Sequence, residues 1–279
     1  MADECIHGFD DGLCAICFPP KAPEPAAQPE PASRAHRVPG RRPSAVPPPA
    51  PARTARAKAS ERSLSAPPVD AGALRIYHVT HLDNLARILG AGALVPDAAG
   101  ASPVVDLAAP AVREFRRGRT VEGTDAVIAD YVPFLLTPDA LVWNAVREGT
   151  PDPRLTAEAV ERPAADHVML VSSVAAARGA ATAVGAVAVS DVDAALPGAE
   201  LAVSWPAVER TLRVLAHEQE VGRLLTAEFL VRGEVPLERI ALIAVGNERV
   251  RDRVRAALSA VGAKTRIAVY PPWFLPAED

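Results

Sequence analysis

Between Pro19 and Pro68 the chain carries half of its 28 prolines and almost no large apolar side chain. Such a segment cannot bury enough surface to offset the conformational entropy of ordering it. It is expected to be a disordered, partly polyproline II spacer. It divides the 279 residues into a cysteine-rich segment (1–20), a Pro/Ala/Arg-rich linker (21–70) and a domain (71–279) that must hold whatever core the chain builds. Charge follows the same division. The net charge of -4 is the sum of -4 over residues 1–20, +5 over 21–70 and -5 over 71–279. The part expected to fold is mildly acidic, and the basic stretch lies outside it. The linker's Arg and Lys residues either touch nucleic acid or keep a tether soluble; the tether is the simpler reading.

No run of roughly 18 apolar residues occurs, so no transmembrane helix is expected. The N-terminus opens on acidic residues and cysteines, unlike the basic, then apolar, start of a signal peptide. All three cysteines fall within the first 17 residues. An odd count argues against a disulfide scaffold and for a reducing, cytoplasmic setting. Cys5-x-His7 and Cys14-x-x-Cys17 place three thiolates and an imidazole in one short window, the donor set of a closed tetrahedral zinc site. Gly8 and Gly12 permit the turn between the two pairs, and metal would supply the folding energy that so few apolar residues cannot. Free thiols, or a redox pair at Cys14 and Cys17, are the alternatives. Four protein ligands leave no open position, so the expected zinc is structural.

From about Leu74 the texture changes. LRIYHVTH suits a buried strand, and Leu82, Leu85, Ile88 and Leu89 follow at helical spacing with Gly90 or Gly92 as the stop. Strands are expected within 125–138, ending at Pro138, and within 167–177, 183–190, 226–236, 238–246 and 265–274. Residues 204–225, with Pro206 early, read as helical, and 247–262 as a helix closed by Gly262. The fold class is α+β with a strand-rich core and no regular βαβ alternation.

Four landmarks occur in a fixed order: Tyr77-His78-Val79-Thr80-His81-Leu82-Asp83-Asn84-Leu85, Arg113-Glu114-Phe115-Arg116-Arg117, Asp130-Tyr131-Val132-Pro133-Phe134 and Ala227-Glu228-Phe229-Leu230-Val231. Together they resemble the DarT family, NAD-dependent ADP-ribosyltransferases that modify bases of single-stranded DNA as toxins paired with a macrodomain antitoxin. The resemblance covers about residues 74–275. It implies an ADP-ribosyltransferase fold, NAD as substrate, single-stranded DNA as acceptor and a toxin–antitoxin role.

It further implies that Glu228 is the catalytic carboxylate and that one arginine of the 113–119 segment works with it. Arg116 fits that position best and Arg117 is the fallback. His78, Val79 and Thr80 are implied as NAD contacts. The chemistry suits these types: breaking the nicotinamide–ribose bond develops positive charge, which a carboxylate stabilises. The apolar neighbours of Glu228 are expected to hold it rigidly and raise its pKa. Asn84 and Arg87 share a helix face and are placed on the same cleft. A guanidinium grips phosphate in a bidentate way, so Arg117 is a further candidate for NAD. His81 reads instead as the cap of the following helix, and His78 has a core histidine as its structural alternative.

The chain departs from the family pattern at Asp139 and Thr226, where members tend to carry Arg and Gln, and Asp191 and Asp193 stand near where a histidine is expected. An acidic Asp139 is expected to repel a nucleic-acid phosphate. The alternatives are therefore a transferase acting on a non-DNA acceptor and a non-catalytic binding module built on a degenerate transferase fold.

Overall fold

The computed structural model describes residues 69–217 and 221–276; the cysteine cluster, Cys5, His7, Cys14 and Cys17 included, and the linker lie outside the described residues. The strands are β1 (Arg75–His81), β2 (Ala93–Leu94), β3 (Tyr131–Leu135), β4 (His167–Ser173), β5 (Val187–Ser190), β6 (Leu201–Ala202), β7 (Glu228–Arg232), β8 (Val235–Pro236), β9 (Leu242–Val245) and β10 (Arg266–Val269). The helices are α1 (Leu85–Ala91), α2 (Pro110–Gly118), α3 (Leu141–Glu148), α4 (Ala157–Glu161), α5 (Val174–Arg178), α6 (Trp205–Leu215), α7 (Val221–Leu224) and α8 (Glu248–Ala260). Eight strands form one sheet in the order β10-β9-β4-β1-β3-β7-β5-β6, and β2 pairs with β8 apart from it. All pairings in the large sheet are antiparallel except β10 with β9, the two strands joined by α8. The α+β class holds, with that single βαβ unit inside it.

The sheet is buried on both faces, because alternate strand residues feed different cores. Ile76, Phe134, Leu170, Phe229 and Ile243 point into the main core, closed by Leu85 and Leu89 of α1, Val208 and Leu212 of α6, and Val250, Val254 and Leu258 of α8. Each such side chain, fully buried, stabilises by about 1.5–3 kcal/mol. On the other face two smaller clusters form. Tyr77, Met169 and Val171 pack with Trp143 of α3 and Phe274. Tyr131, Ala188 and Leu230 pack with Val121 and Ile128.

Several elements depart from the sequence expectation for local reasons. Residues Val174–Arg178 form a helix instead of extending β4, since the Ser173 side chain accepts from the Ala176 N–H at 3.1 Å and caps the new turn. Pro271 and Pro272 end β10 early and open a 3₁₀ turn. The run before Tyr131 is a 3₁₀ turn, with the Asp130 carboxylate accepting from the Val127 N–H at 2.8 Å. Of the two candidate stops of α1, Gly92 is the one used, at φ 71°, a conformation only glycine adopts without strain.

One feature of the sheet places the site. β1 pairs with β4 along its whole length, Arg75↔Ser173 to His81↔His167, but with β3 only at Tyr77↔Leu135. Pro133 supplies the reason. The N–H and C=O of a strand residue point to the same side, and the Pro133 carbonyl faces β1, where it accepts from His78 Nδ1 at 2.9 Å. The N–H that would continue the ladder toward β1 is the one proline lacks. β1 and β3 therefore part, and the sheet opens between its two halves.

Candidate active site

A cavity of about 700 Å³ occupies that opening, within the size range of small-molecule sites. Tyr77, His78, Val79 and Thr80 all line it. Four consecutive residues present one edge of a strand, not one face, as the lost pairing requires. α1 contributes Arg87 and Ile88, α2 contributes Val112, Arg113 and Arg116, and Glu228 stands at the start of β7.

Glu228 is buried, flanked in register by Leu135 on β3 and Ser190 on β5. Arg116 Nη2 donates to both of its oxygens, at 2.8 and 2.7 Å. The Ala194 N–H adds a bond to Oε2 at 3.1 Å. Burial pushes the Glu228 carboxyl above the usual carboxylate range; Arg116 works against that shift and the nearby Asp193 carboxylate reinforces it. Asp193 lies 3.4 Å from Arg116 and 3.3 Å from Arg154, and Arg154 is itself held by Asp152 at 2.6–2.8 Å. Glu228 and Asp193 thus share the Arg116 guanidinium on the wall of the cavity, and Asp152 backs Arg154 from outside that wall.

His78 is held by its bond to Pro133, so Nδ1 carries the proton and Nε2 is left as an acceptor. Burial lowers its pKa, and the bond to Pro133 only partly offsets this. The ring is therefore neutral at pH 7. His81 caps the following turn, its Nδ1 accepting from the Asp83 N–H at 3.2 Å. Asn84 lines the cavity, yet all its capacity is spent inside the protein. Its amide donates to Thr80 Oγ1 and the Val105 carbonyl at 3.0 and 2.8 Å, and its oxygen accepts from Val104 and Val105 at 2.6 and 2.9 Å. Arg87 donates to the Ser102 carbonyl at 2.5 Å.

Arg117 is the candidate that the structure sets apart. It lies outside the cavity wall, 56% exposed, with its guanidinium on Asp97 at 2.7 Å. One helical turn separates it from Arg113, which also engages Asp97 but does reach the cavity. At about 100° per residue, positions 116 and 117 fall on opposite sides of 113, about 60° and 40° from it, so 116 reaches Glu228 while 117 shares Asp97 with Arg113 on the exposed side. Asp139, expected to repel phosphate, is paired with Arg147 at 2.9 Å, so its charge is already countered. The Thr226 hydroxyl is committed to the Arg223 carbonyl at 3.1 Å.

Sequence reading missed Arg154 and the contact role of Asp193. Both approach the site through long loops, and no local spacing announces them. Among the described residues there is no group of three or more His, Cys, Asp or Glu side chains arranged to hold a metal. Among them too, no helix is long and apolar enough to cross a membrane.

Comparison with known proteins agrees with this geometry. A family model described as "ssDNA thymidine ADP-ribosyltransferase, DarT" matches residues 77–275. A DNA ADP-ribosyl transferase of Thermus sp. (strain 2.9) is 28% identical over 210 residues, 71% of this chain and 95% of that protein. A solved structure of Thermus sp. 2.9 DarT in complex with ADP-ribosylated single-stranded DNA superimposes with a TM-score of 0.59 at 25% identity, covering 72% of this chain and 96% of that one. The same protein in complex with NAD+ matches in fold at a TM-score of 0.56 and 24% identity, over 72% and 98% of the two chains.

Proposed function

The chain belongs to the DarT family of single-stranded-DNA ADP-ribosyltransferases, and from that premise we propose how its own residues perform NAD-dependent transfer to a DNA base. The observation that carries the reading is the ion pair between half-buried Arg116 and buried Glu228 at the mouth of a split sheet, beside a cavity of dinucleotide-binding size. NAD lies along the open edge of β1, with Val79 and Thr80 against it and His78 Nε2 as a hydrogen-bond acceptor. Arg87 supplies positive charge on the cavity wall for the pyrophosphate, while Arg113, paired with Asp97 and Asp106, and Asn84 hold the wall in shape. Arg117 stays with Asp97 and takes no part in binding.

The reacting bond joins the nicotinamide nitrogen to ribose C1′. As it breaks, its electron pair leaves with nicotinamide and positive charge develops on the ribose. The Glu228 carboxylate faces that charge, in a buried setting where electrostatic stabilisation is strong. Arg116 holds the carboxylate in one rotamer, and Glu228 accepts a hydrogen bond from the ribose 2′-hydroxyl. A thymine of the DNA strand, the base in the family's description, then attacks C1′ and releases its proton, for which Glu228 is the nearest acceptor.

Modification of DNA bases in the cell harms its owner unless reversed, which supports a toxin role, with a macrodomain antitoxin as partner in the cytoplasm. The cysteine cluster at Cys5, His7, Cys14 and Cys17 is proposed to hold a structural zinc; metal analysis of the full chain should return one zinc, and none after substitution of Cys14 and Cys17. For the main reading, labelled NAD is incubated with single-stranded DNA, RNA and protein acceptors. Label entering thymine-containing single-stranded DNA, and lost with Glu228→Ala, is the expected outcome. Label entering RNA or protein instead, or nicotinamide release without any acceptor labelled, would overturn it.

A further inference from the structure

The pair that carries the chemistry does not stand alone. Behind it the charges alternate along a line: Glu228, Arg116, Asp193, Arg154, Asp152. Asp193 has only 8% of its side chain exposed and uses both oxygens, Oδ1 toward Arg116 and Oδ2 toward Arg154. Its position is fixed by its own loop, since the Ala195 N–H donates to Oδ1 at 2.8 Å. Arg119, at the end of α2, gathers the carbonyls of Ala194, Leu196 and Ala199, so that the helix carrying Arg116 also grips the loop carrying Asp193. Ser190 reaches forward to the Val192 carbonyl, and Asp191 is tied to Arg223 of α7 at 2.9 Å. A loop braced at this many points holds its carboxylate in place for a reason that packing alone does not give: Asp193 is a second buried acid directed at the same guanidinium as Glu228.

We propose that Asp193 and Arg154 are positioning residues: Asp193, backed by Arg154, engages the same Nη2 of Arg116 that binds Glu228, fixes its place against that carboxylate, and thereby tunes the carboxylate's reactivity. Both roles depend on Glu228 being the catalytic carboxylate, as proposed above. Arg116 is shared between two carboxylates, and Arg154 decides how strongly Asp193 competes for it. With Arg154 in place, Asp193 is half satisfied and Arg116 remains on Glu228. The groups that face Glu228 are Arg116 from α2, Asp193 and the Ala194 N–H from the loop, and the uncharged Leu135 and Ser190 on the flanking strands, with Arg154 and Asp152 one layer behind.

Two substitutions should therefore act in opposite directions. Asp193→Asn removes a neighbouring negative charge and leaves Arg116 wholly to Glu228, so the Glu228 carboxyl titrates lower, by about one pH unit. Arg154→Gln leaves Asp193 uncompensated, so Glu228 titrates higher. In the double variant the Arg154 effect should vanish, because Arg154 reaches Arg116 only through Asp193. Carbon-13 carboxyl NMR of glutamate-labelled protein reads this directly, with the Glu228 signal assigned from its absence in Glu228→Gln. Kinetics supply the second readout: Asp193→Asn should lower kcat about 10-fold or more while KM for NAD changes less than about twofold, because the interaction is expressed in the transition state. Arg154→Lys should restore most of what Arg154→Gln loses.

Shifts of the same sign, or no shift in either variant, overturn the proposal. A rise in KM with kcat unchanged does so too, because it would make Asp193 a binding group. The NMR titration needs no turnover, so it stands even if the functional reading fails. That failure is recognised separately, by Glu228→Gln being as active as the native protein.

Discussion

Asn84 and Glu228 are both buried polar side chains on the wall of one cavity, and they are built on opposite rules. Every donor and acceptor of Asn84 meets a neutral partner in Thr80, Val104 or Val105, so the group joins α1 to the loop at 104–105 and has nothing left for a ligand. Glu228 belongs to a charged cluster in which it and Asp193 must share one guanidinium, Arg116, at the cavity wall. A satisfied buried network rigidifies a fold, whereas an unbalanced one stores electrostatic potential for something that enters later. The comparison separates scaffold from chemistry more sharply than position along the sequence does, since Asn84 lies inside the first family motif and Asp193 lies in none.

The largest effect expected is from breaking the charged cluster outright. Arg116→Met would leave Glu228 and Asp193 without the cation between them, with only Arg154 behind Asp193; loss of one partner of a buried pair destabilises by about 3–5 kcal/mol. Transfer activity should disappear, and thermal unfolding should report the stability loss. If Arg116→Met unfolds at the native temperature, the cluster is not the buried network described here.

The next effect depends on pH and lies away from the site. His167 is fully buried and its pKa is lowered to about 4, first by desolvation and then by the neighbouring His81 ring, 5.0 Å away. A base whose folded pKa is depressed leaves the unfolded chain as the better proton binder, so stability is lost as pH falls from about 6.5 toward 4, by about 3 kcal/mol in all. His167→Gln should flatten the dependence of Tm on pH across that window, and a variant that retains the full slope would refute the assignment.

Cutting the neutral network is expected to cost somewhat less. Asn84→Ala orphans the N–H groups of Val104 and Val105, worth about 2–3 kcal/mol together. Denaturant unfolding should show that loss, while protein that remains folded should keep the pH profile of the native enzyme. A changed profile would place Asn84 in the chemistry and erase the contrast with Glu228. The smallest effect belongs to Arg117: its side of the ion pair with Asp97 is exposed and Arg113 also holds that carboxylate, and such pairs contribute about 0–1 kcal/mol. Arg117→Ala should leave both Tm and KM for NAD nearly unchanged, and a severalfold rise in KM would restore it as an NAD contact.

Much of this architecture could be read from the sequence where the signal is local. The helix at 247–262 shows its apolar period, and in the structure Val250, Val254 and Leu258 are the residues it buries. The strands around His78 and Glu228 stand out by their β-branched and aromatic residues. The helical state of 110–118 did not stand out: Val112 and Phe115 are its only large apolar residues, neither is fully buried, and the partners of Arg116 are remote in sequence. Arg116 reaches Glu228 across 112 positions and Asp193 across 77. The split between β1 and β3 was equally hidden, because it depends on which side of Pro133 faces β1. Local chemistry names the parts, and only the topology shows which parts meet.

The most direct measurement of the central claim is the mass of a thymine-containing single-stranded oligonucleotide after incubation with NAD and either the native chain or Glu228→Gln. The native chain should add one ADP-ribose to the oligonucleotide and release one nicotinamide per addition. Glu228→Gln should do so more slowly by about 10²–10³-fold, the scale of losing a preorganised electrostatic group, with NAD affinity preserved. An oligonucleotide left unmodified by the native chain, or modified equally by both proteins, would contradict it.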